Sequence, residues 1–134
     1  MNDDKKELGK IESTFLGYED HGIFTFWIAF DFGGSHQSFG GYALDSYNKD
    51  LECREGTEFG MDCIARILNA VGVDEWGKLV GKEMWVYRDN TPSGWASGKI
   101  VGIEAPAYRK NTKPFFMKDA IDRWVVPVEV AREL

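Results

Sequence analysis

A glycine-rich segment between two Gly-Gly pairs holds the residues best suited to chemistry. Its members include Gly33, Gly34, Ser35, His36, Gln37, Ser38, Gly40 and Gly41. Successive backbone amides in glycine-permitted conformations can form a nest that binds a phosphate or a carboxylate. The spacing matches neither the Walker phosphate loop nor the dinucleotide-binding fingerprint. The competing interpretation is a hairpin connection with bulges, in which glycine supplies only the backbone geometry.

The two histidines, His21 and His36, stand at opposite ends of a predicted strand. Since each strand residue rises about 3.3 Å, the two rings lie tens of ångströms apart in the extended limit. We therefore expect no metal site shared by them within one subunit, and no cofactor. No serine or cysteine has the sequence context of a catalytic nucleophile. One alternative stays open, a small metal-dependent hydrolase or nuclease that uses His21 or His36 with a nearby aspartate.

Three further residues are candidates for the same contact surface. Asp20 and His21 fall in a predicted turn, and Trp95 falls in a later loop that contains Pro92 and Gly94. Loop aromatics can stack on bases or anchor a protein interface. The alternative for Trp95 is a loop folded over the core. We predict a binding surface made of the glycine-rich segment, with these three residues as neighbours.

The charge balance of the chain restricts its partners. The 134 residues, enough for a single domain, carry a formal net charge of −6, with 14% aromatic residues. Non-specific binding to nucleic acid or to anionic lipid depends on clustered Lys and Arg. One small basic patch is present at Arg109, Lys110 and Lys113. We expect a protein partner or a small ligand, and not nucleic acid.

Targeting signals and cysteines indicate the compartment. No segment reaches the roughly 18 apolar residues that a transmembrane helix needs. The N-terminal residues MNDDKKELGK lack the apolar core of a signal peptide. We therefore predict a cytoplasmic location without membrane association. Cys53 and Cys63 do not form a C-x-x-C pair, so we expect two free thiols and no zinc.

The N-terminal half predicts a meander of three antiparallel strands at 10–18, 23–32 and 38–44, followed by a polar, turn-rich region at 45–56. In the first strand, Ile11, Ser13 and Phe15 are predicted to share one face. In the second, the alternating large apolar residues are predicted to form the core. These are Phe24, Phe26, Ile28, Phe30 and Phe32.

The second half predicts one main helix and further strands. Residues 57–71 form the helix, with Thr57 as the N-cap and Gly72 as the C′ residue. Its apolar stripe is predicted to contain Met61, Ile64, Leu68 and Val71.

A second, shorter helix is predicted to be capped by Asp74 and to run through residue 80. Strands at 83–88 and 99–104, loops at 89–95 and 105–114, a short helix at 117–124 and an edge strand at 125–130 complete the prediction. The fold class is α+β, an antiparallel sheet packed on one main helix.

Two segments carry a resemblance to a family of small uncharacterised bacteriophage and prophage proteins. They are GYEDHGIFTFWIAFDFGGSHQSFGGYALD at 17–45 and ILNAVGVDEWGKLVGKEMWV at 67–86, about a third of the chain. The chain departs from that family after residue 105. The resemblance implies a phage or prophage origin and supplies no catalytic residues.

Together with the residue patterns, the resemblance implies a non-enzymatic binding protein in the cytoplasm of a host cell. It would act on a host protein or defence system, either by inhibition or by sequestering a small ligand or nucleotide. Besides the hydrolase, a structural or homo-oligomeric phage component, whose strand edges pair, is the remaining alternative.

Overall fold

A computed structural model describes residues 6–19, 22–89 and 98–124. These ranges adopt the predicted α+β fold, in which an antiparallel six-stranded sheet and a separate two-stranded hairpin accompany the helices. The strands are β1 (Lys6–Tyr18), β2 (Phe24–Asp31), β3 (His36–Gly40), β4 (Asp45–Asn48), β5 (Cys53–Gly56), β6 (Glu83–Arg88), β7 (Ile100–Glu104) and β8 (Phe115–Phe116). The main helix is α1 (Glu58–Val71), and the shorter helix is α2 (Met117–Trp124).

Strand β1 is long because it serves two neighbours. Its N-terminal half pairs with β6, its C-terminal half pairs with β2, and the register with β2 shifts between Ile11 and Ser13. The extra residue, Glu12, forms a β-bulge, and the alternation of side chains changes phase beyond it. Ile11 is therefore fully buried, whereas Phe15 is 41% exposed. The prediction that Ile11, Ser13 and Phe15 share one face is wrong for this reason.

Strand β2 supplies the centre of the core. Phe26, Ile28 and Phe30 are fully buried, and Phe24 and Phe32 pack against them from the two ends. The predicted core face of this strand is confirmed. Its burial follows from the two-residue period of a strand, which sends all five side chains to the same side.

The sheet curls so that its distant strands meet. Its order is β3-β2-β1-β6-β7-β8. In a flat sheet, β3 and β7 would lie about 19 Å apart, given roughly 4.8 Å between neighbouring strands. Instead the two strands are in contact. Nearby, the rings of Phe39 and Phe115 lie 6.2 Å apart, centroid to centroid. The sheet therefore encloses the core as an incomplete barrel.

Helix α1 has the caps that the sequence predicts. Thr57 Oγ1 accepts a hydrogen bond of 2.9 Å from the amide of Gly60. At the other end Gly72 adopts a φ of 90°, and its N–H donates to the carbonyl of Leu68. Both arrangements satisfy backbone groups that have no partner inside the helix.

The buried face of α1 differs from the predicted stripe. Met61 is 72% exposed, and Ile64 and Leu68 lie only at the margin of the core. The buried residues of α1 are Phe59, Gly60, Cys63, Ile67, Ala70 and Val71. The predicted stripe is therefore correct in part: Val71 is buried as predicted, whereas Met61 faces solvent, because apolar residues surround more than one face of the helix and the contact with the sheet selects one.

The chain between β2 and α1 also departs from prediction. The third strand, predicted at 38–44, is His36–Gly40, and it ends where Gly40 and Gly41 adopt φ values of 134° and 86°. Beyond it the amides of Gly41 and Leu44 still donate to carbonyls of β2. Residues 45–56, predicted to be polar and turn-rich, contain the hairpin of β4 and β5.

The Asp45 carboxylate pairs with Arg54 inside this hairpin and also accepts a hydrogen bond from β2. Asp45 accepts hydrogen bonds of 2.8 Å from both Nε and Nη2 of Arg54, and one of 3.2 Å from the amide of Phe24. The Asp45 side chain is only 3% exposed. The hydrogen bond to Asp45 raises the pKa of Arg54. The hairpin is thus fixed to β2 through one buried carboxylate.

The remaining predicted elements are mostly present. The strand at 83–88, the loop at 105–114 and the helix at 117–124 are confirmed, and the strand predicted at 99–104 begins at Ile100. The helix predicted from Asp74 is only a 3₁₀ turn, Trp76–Lys78, which Asp74 does not cap. The edge strand at 125–130 and most of the loop at 89–95 lie outside the described residues.

Both cysteines are free, as predicted, with Cys53 exposed and Cys63 buried. Burial raises the pKa of the Cys63 thiol to about 12. Cys63 is therefore a neutral core side chain, with its sulfur 4.0 Å from that of Met117. Within the described ranges, no helix combines the length and the apolar character that a membrane span requires.

Candidate functional site

The outer surface of β1, β2 and β3 brings together the exposed residues with the most potential for binding. We call it the meander face. Its strands place side chains in cross-strand rows, since each row alternates with one that points into the core. The meander face consists of Ser13, Phe15, Trp27, Ala29, His36 and Ser38.

An aromatic pair forms the apolar part of the meander face. Phe15 lies directly opposite Trp27, which in turn lies opposite Gly40. The Trp27 ring packs against the neighbouring Gly41, where an added Cβ would lie 2.6 Å from two ring carbons. Trp27 Nε1 donates a hydrogen bond of 2.5 Å to Glu19. The ring is therefore held in one position, next to a phenyl ring that solvent reaches.

Carboxylates surround this aromatic pair. Glu19 binds the Trp27 indole at one end, and Glu12 lies in the bulge of β1 with Oε2 3.0 Å from Nδ1 of His36. Asp31 closes the far end of β2, where its carboxylate accepts a hydrogen bond of 2.8 Å from the amide of Gly33. The meander face is thus an apolar platform whose rim carries three carboxylates, with Lys10 opposite Asp31 at the far end.

The turn between β2 and β3 uses its own backbone groups. The amide of Gly33 donates to Asp31, and the amide of Phe32 donates to the carbonyl of Ser35 at 2.9 Å. A Cβ at Gly33 or Gly34 would meet nothing within 4 Å, although Gly33 has a φ of 96°. These contacts favour the hairpin interpretation of the first Gly-Gly pair over an anion-binding nest.

The second Gly-Gly pair allows two close approaches. A Cβ at Gly40 would overlap the backbone carbonyl oxygen of Phe26, and one at Gly41 would overlap the Trp27 ring. Glycine is therefore required here by packing as well as by positive φ. The pair contributes to the site indirectly, because it lets the indole pack against the backbone at Gly41.

The structure separates His36 from Gln37, although they are adjacent in sequence. The His36 side chain is 60% exposed on the meander face. Gln37 points to the opposite side of β3, where Nε2 donates to the carbonyl of Gly98 at 2.9 Å. Its Oε1 accepts a hydrogen bond of 2.6 Å from Nε of Arg88. Gln37 therefore joins β3 to the end of β6 and to the segment that precedes β7.

Arg88 extends this connection to the N-terminal strand. Its Nη1 donates to Glu7 at 2.8 Å, and its guanidinium lies 4.6 Å from the centroid of the Phe32 ring. The Arg88 side chain is only 14% exposed. Removal of Gln37 would leave a largely buried charged donor without its neutral acceptor.

We predict that Gln37→Ala lowers the free energy of unfolding by about 1–3 kcal/mol, because Arg88 Nε and the Gly98 carbonyl lose their partner. His36→Ala, the matched change on the exposed face of the same strand, should alter it by no more than about 0.5 kcal/mol. Urea denaturation of both variants measures the difference. Equal stabilities of the two variants would contradict the structural role of Gln37.

Three predicted site residues, Asp20, His21 and Trp95, lie outside the described residues. Sequence reasoning missed the outward-facing aromatic pair of the exposed Phe15 and the half-buried Trp27. The available signal was the adjacent polar pair Glu12-Ser13, which interrupts the alternation of β1 and indicates a bulge. Among the residues that the structure describes, no group of three or more His, Cys, Asp or Glu side chains could hold a metal ion.

Comparison with known proteins adds no relative. The chain matches no protein-family model, and no curated protein or solved structure matches it.

Proposed function

We propose that this chain is a non-enzymatic binding protein whose meander face takes up a cationic segment of a partner protein. The observation that carries the proposal is the Phe15–Trp27 pair, in which Phe15 is 41% exposed and Trp27 is bound by the Glu19 carboxylate, on a face that also carries Glu12. Aromatic ring faces attract the ammonium group of Lys and the guanidinium group of Arg. Carboxylates at the rim add charge-assisted hydrogen bonds to the same groups.

The overall charge favours a protein partner. A net charge of −6 and an acidic rim attract basic segments and repel phosphate groups. The resemblance to phage and prophage proteins makes a host protein, such as a component of a defence system, the proposed target. Occupation of a basic surface on such a protein would act as inhibition without any catalytic step.

The test compares capture of host proteins by the wild-type chain and by Phe15→Ala. We expect the wild type to retain a defined host protein and Phe15→Ala to bind the same purified protein at least about 30-fold more weakly, as for a central interface residue. Mass spectrometry identifies the captured protein, and biolayer interferometry measures both dissociation constants. Binding should also weaken as salt concentration rises, because the rim acts through charge.

The control is Met61→Ala on α1. Met61 is 72% exposed and therefore more accessible than Phe15, but it lies on another element. The Met61→Ala variant should therefore bind the host protein as tightly as the wild type does. Equal losses in both variants would indicate non-specific apolar adsorption and would contradict a site on the meander face, as would unchanged binding of Phe15→Ala.

A second candidate function, binding of single-stranded nucleic acid, is favoured by the strand connectivity. In the strand order β3-β2-β1-β6-β7, strand β1 pairs with both β2 and β6, and α1 lies between β3 and β6 along the chain. This connectivity resembles that of the OB-fold. In that fold the outer face of the second and third strands and two adjoining loops bind oligonucleotides or oligosaccharides. In the sequence, His21 falls between β1 and β2, and Trp95 falls between β6 and β7. The acidic rim is what places this candidate second.

Fluorescence anisotropy with a labelled oligothymidylate separates the two candidates. Nucleic-acid binding predicts saturable binding at low salt, a steep loss as salt rises, and loss in Phe15→Ala, since bases would stack on the ring. Absence of binding at low salt removes the second candidate and leaves the first intact.

A further inference from the structure

A cleft distinct from the meander face lies at the C-terminal end of α1. The turn that follows α1 and the loop at 105–114 form its other walls. Its volume is about 550 Å³, within the range typical of small-molecule sites. The lining residues are Leu68, Asn69, Gly72, Val73, Asp74, Lys78, Lys82, Lys110 and Asn111.

The charge of this cleft is opposite to that of the chain as a whole. Three lysines and one aspartate line it, in a protein with a net charge of −6. Asp74 is already engaged, because its Oδ1 lies 2.9 Å from Nζ of Lys78. Within the described ranges, Lys82 and Lys110 take part in no ion pair. Two ammonium groups thus remain to bind an anion.

We propose that the cleft binds a small ligand that carries a phosphate monoester. Lys82 and Lys110 bind the phosphate as point charges, which is a common use of lysine. Leu68 and Val73 offer an apolar wall to the body of the ligand. The amides of Asn69 and Asn111 can donate to and accept from its polar groups. A nucleoside monophosphate has this combination of one dianionic group and a flat polar body.

The C-terminal end of a helix normally disfavours the binding of an anion, because its free carbonyls carry partial negative charge. Here Arg109 offsets that charge. Its Nη1 donates a hydrogen bond of 2.7 Å to the carbonyl of Val71, and its Nη2 donates to the carbonyl of Glu83. Arg109 therefore places a third positive charge behind the cleft while it fixes the loop that carries Lys110.

The basic patch that the sequence indicates at Arg109, Lys110 and Lys113 thus divides by role. Arg109 binds backbone carbonyls, and Lys110 lines the cleft. Lys78 and Lys82 complete the positive lining, from a segment almost 30 positions earlier in the chain. The site depends on this long-range contact and not on the local run of basic residues.

Isothermal titration calorimetry with three probes tests the proposal: adenosine 5′-monophosphate, inorganic phosphate and adenosine. We expect saturable binding of the monophosphate, weaker binding of phosphate and the weakest binding of adenosine. Lys82→Ala and Lys110→Ala should each weaken binding of the monophosphate about tenfold, the loss of one charge-assisted hydrogen bond. The corresponding arginine variants should restore most of it.

Two control variants distinguish binding in this cleft from binding elsewhere on the protein surface. Lys49→Ala removes an exposed lysine of the β4–β5 turn and should leave the monophosphate affinity unchanged. Phe15→Ala should also leave it unchanged, so failure of the meander face and failure of the cleft are distinguishable. Equal affinity for adenosine and the monophosphate, no binding of any phosphate probe, or an equal loss in Lys49→Ala would overturn the proposal.

Discussion

Gly60→Ala is expected to lower the free energy of unfolding by about 1–3 kcal/mol, the usual cost of overpacking. Inside a helix, alanine is ordinarily more favourable than glycine by about 1 kcal/mol. The sign reverses here because α1 rests directly on the backbone of Leu44. An added Cβ would lie 2.8 Å from the carbonyl carbon of Leu44 and 2.9 Å from its Cα, and it would overlap the carbonyl oxygen. No side-chain rotation relieves a collision with backbone atoms, so the helix must move.

Urea denaturation measures this effect, with Gly56→Ala as the matched control. Gly56 precedes the same helix, has no positive φ and offers open space to a Cβ. Its replacement should leave stability unchanged or raise it slightly, because alanine restricts the unfolded chain. A Gly60→Ala protein as stable as the control would contradict the contact between α1 and Leu44.

Local sequence signals predict the ends of α1 but not the face that it buries. The caps at Thr57 and Gly72 depend on residues within one turn, so the residue types suffice. The buried face depends on where the helix contacts the sheet. Both Met61 and Ile67 fit a helical stripe by spacing, but only Ile67 reaches the core. On the buried face the backbone of Leu44 occupies the space that a Cβ at residue 60 would take, so glycine at that position permits the contact.

The same distinction explains the error in β1. The predicted alternation of side chains between the two faces holds on each side of the bulge. Only its phase changes, at Glu12. A one-residue shift sends every later side chain to the other face. The sequence pattern therefore places Phe15 on the wrong face, and it does not predict the aromatic pair of the meander face. The bulge itself has a weak sequence signature, which becomes clear only when the register with β2 is known.

The candidate site is predictable in part. The glycine-rich segment does adjoin the surface that we propose for binding, because Gly40 and Gly41 support the Trp27 ring. The prediction groups His36 with Gln37 because they are neighbours in sequence. A strand sends neighbours to opposite faces, and Gln37 contacts Gly98, 61 positions later. Contacts of that separation are set by the curl of the sheet and leave no local pattern.

This acidic chain thus has two candidate binding surfaces of opposite charge. The meander face combines aromatic rings with carboxylates, and the cleft at the end of α1 combines apolar side chains with ammonium groups. Their walls come from different elements, so each can be altered without the other. Both depend on the region between β2 and α1, since Trp27 rests on Gly41 and α1 rests on Leu44. A substitution in that region should therefore have a large effect on stability.

Asp45→Ala is expected to lower the free energy of unfolding by about 3–5 kcal/mol, the cost of breaking a buried ion pair by removing one partner. Asp45 follows Leu44 directly and accepts from Arg54 and from the amide of Phe24. Its loss leaves the Arg54 guanidinium and the Phe24 amide without this acceptor. The Arg54 side chain is 25% exposed. Partial access of solvent to Arg54 places the expected effect at the lower end of that range.

Asp74→Ala is the matched control, because Asp74 is also paired with a cation but its side chain is 79% exposed. An exposed pair contributes about 0–1 kcal/mol, so this variant should unfold almost as the wild type does. Asp45→Asn should fall between the two, since an amide oxygen can still accept from Phe24 while the charge is lost. Thermal and urea denaturation of all three variants give the order of their stabilities. If Asp45→Ala lowered the free energy of unfolding no more than Asp74→Ala, this carboxylate would not hold the hairpin of β4 and β5 to the sheet. Another contact would then have to position α1 against Leu44.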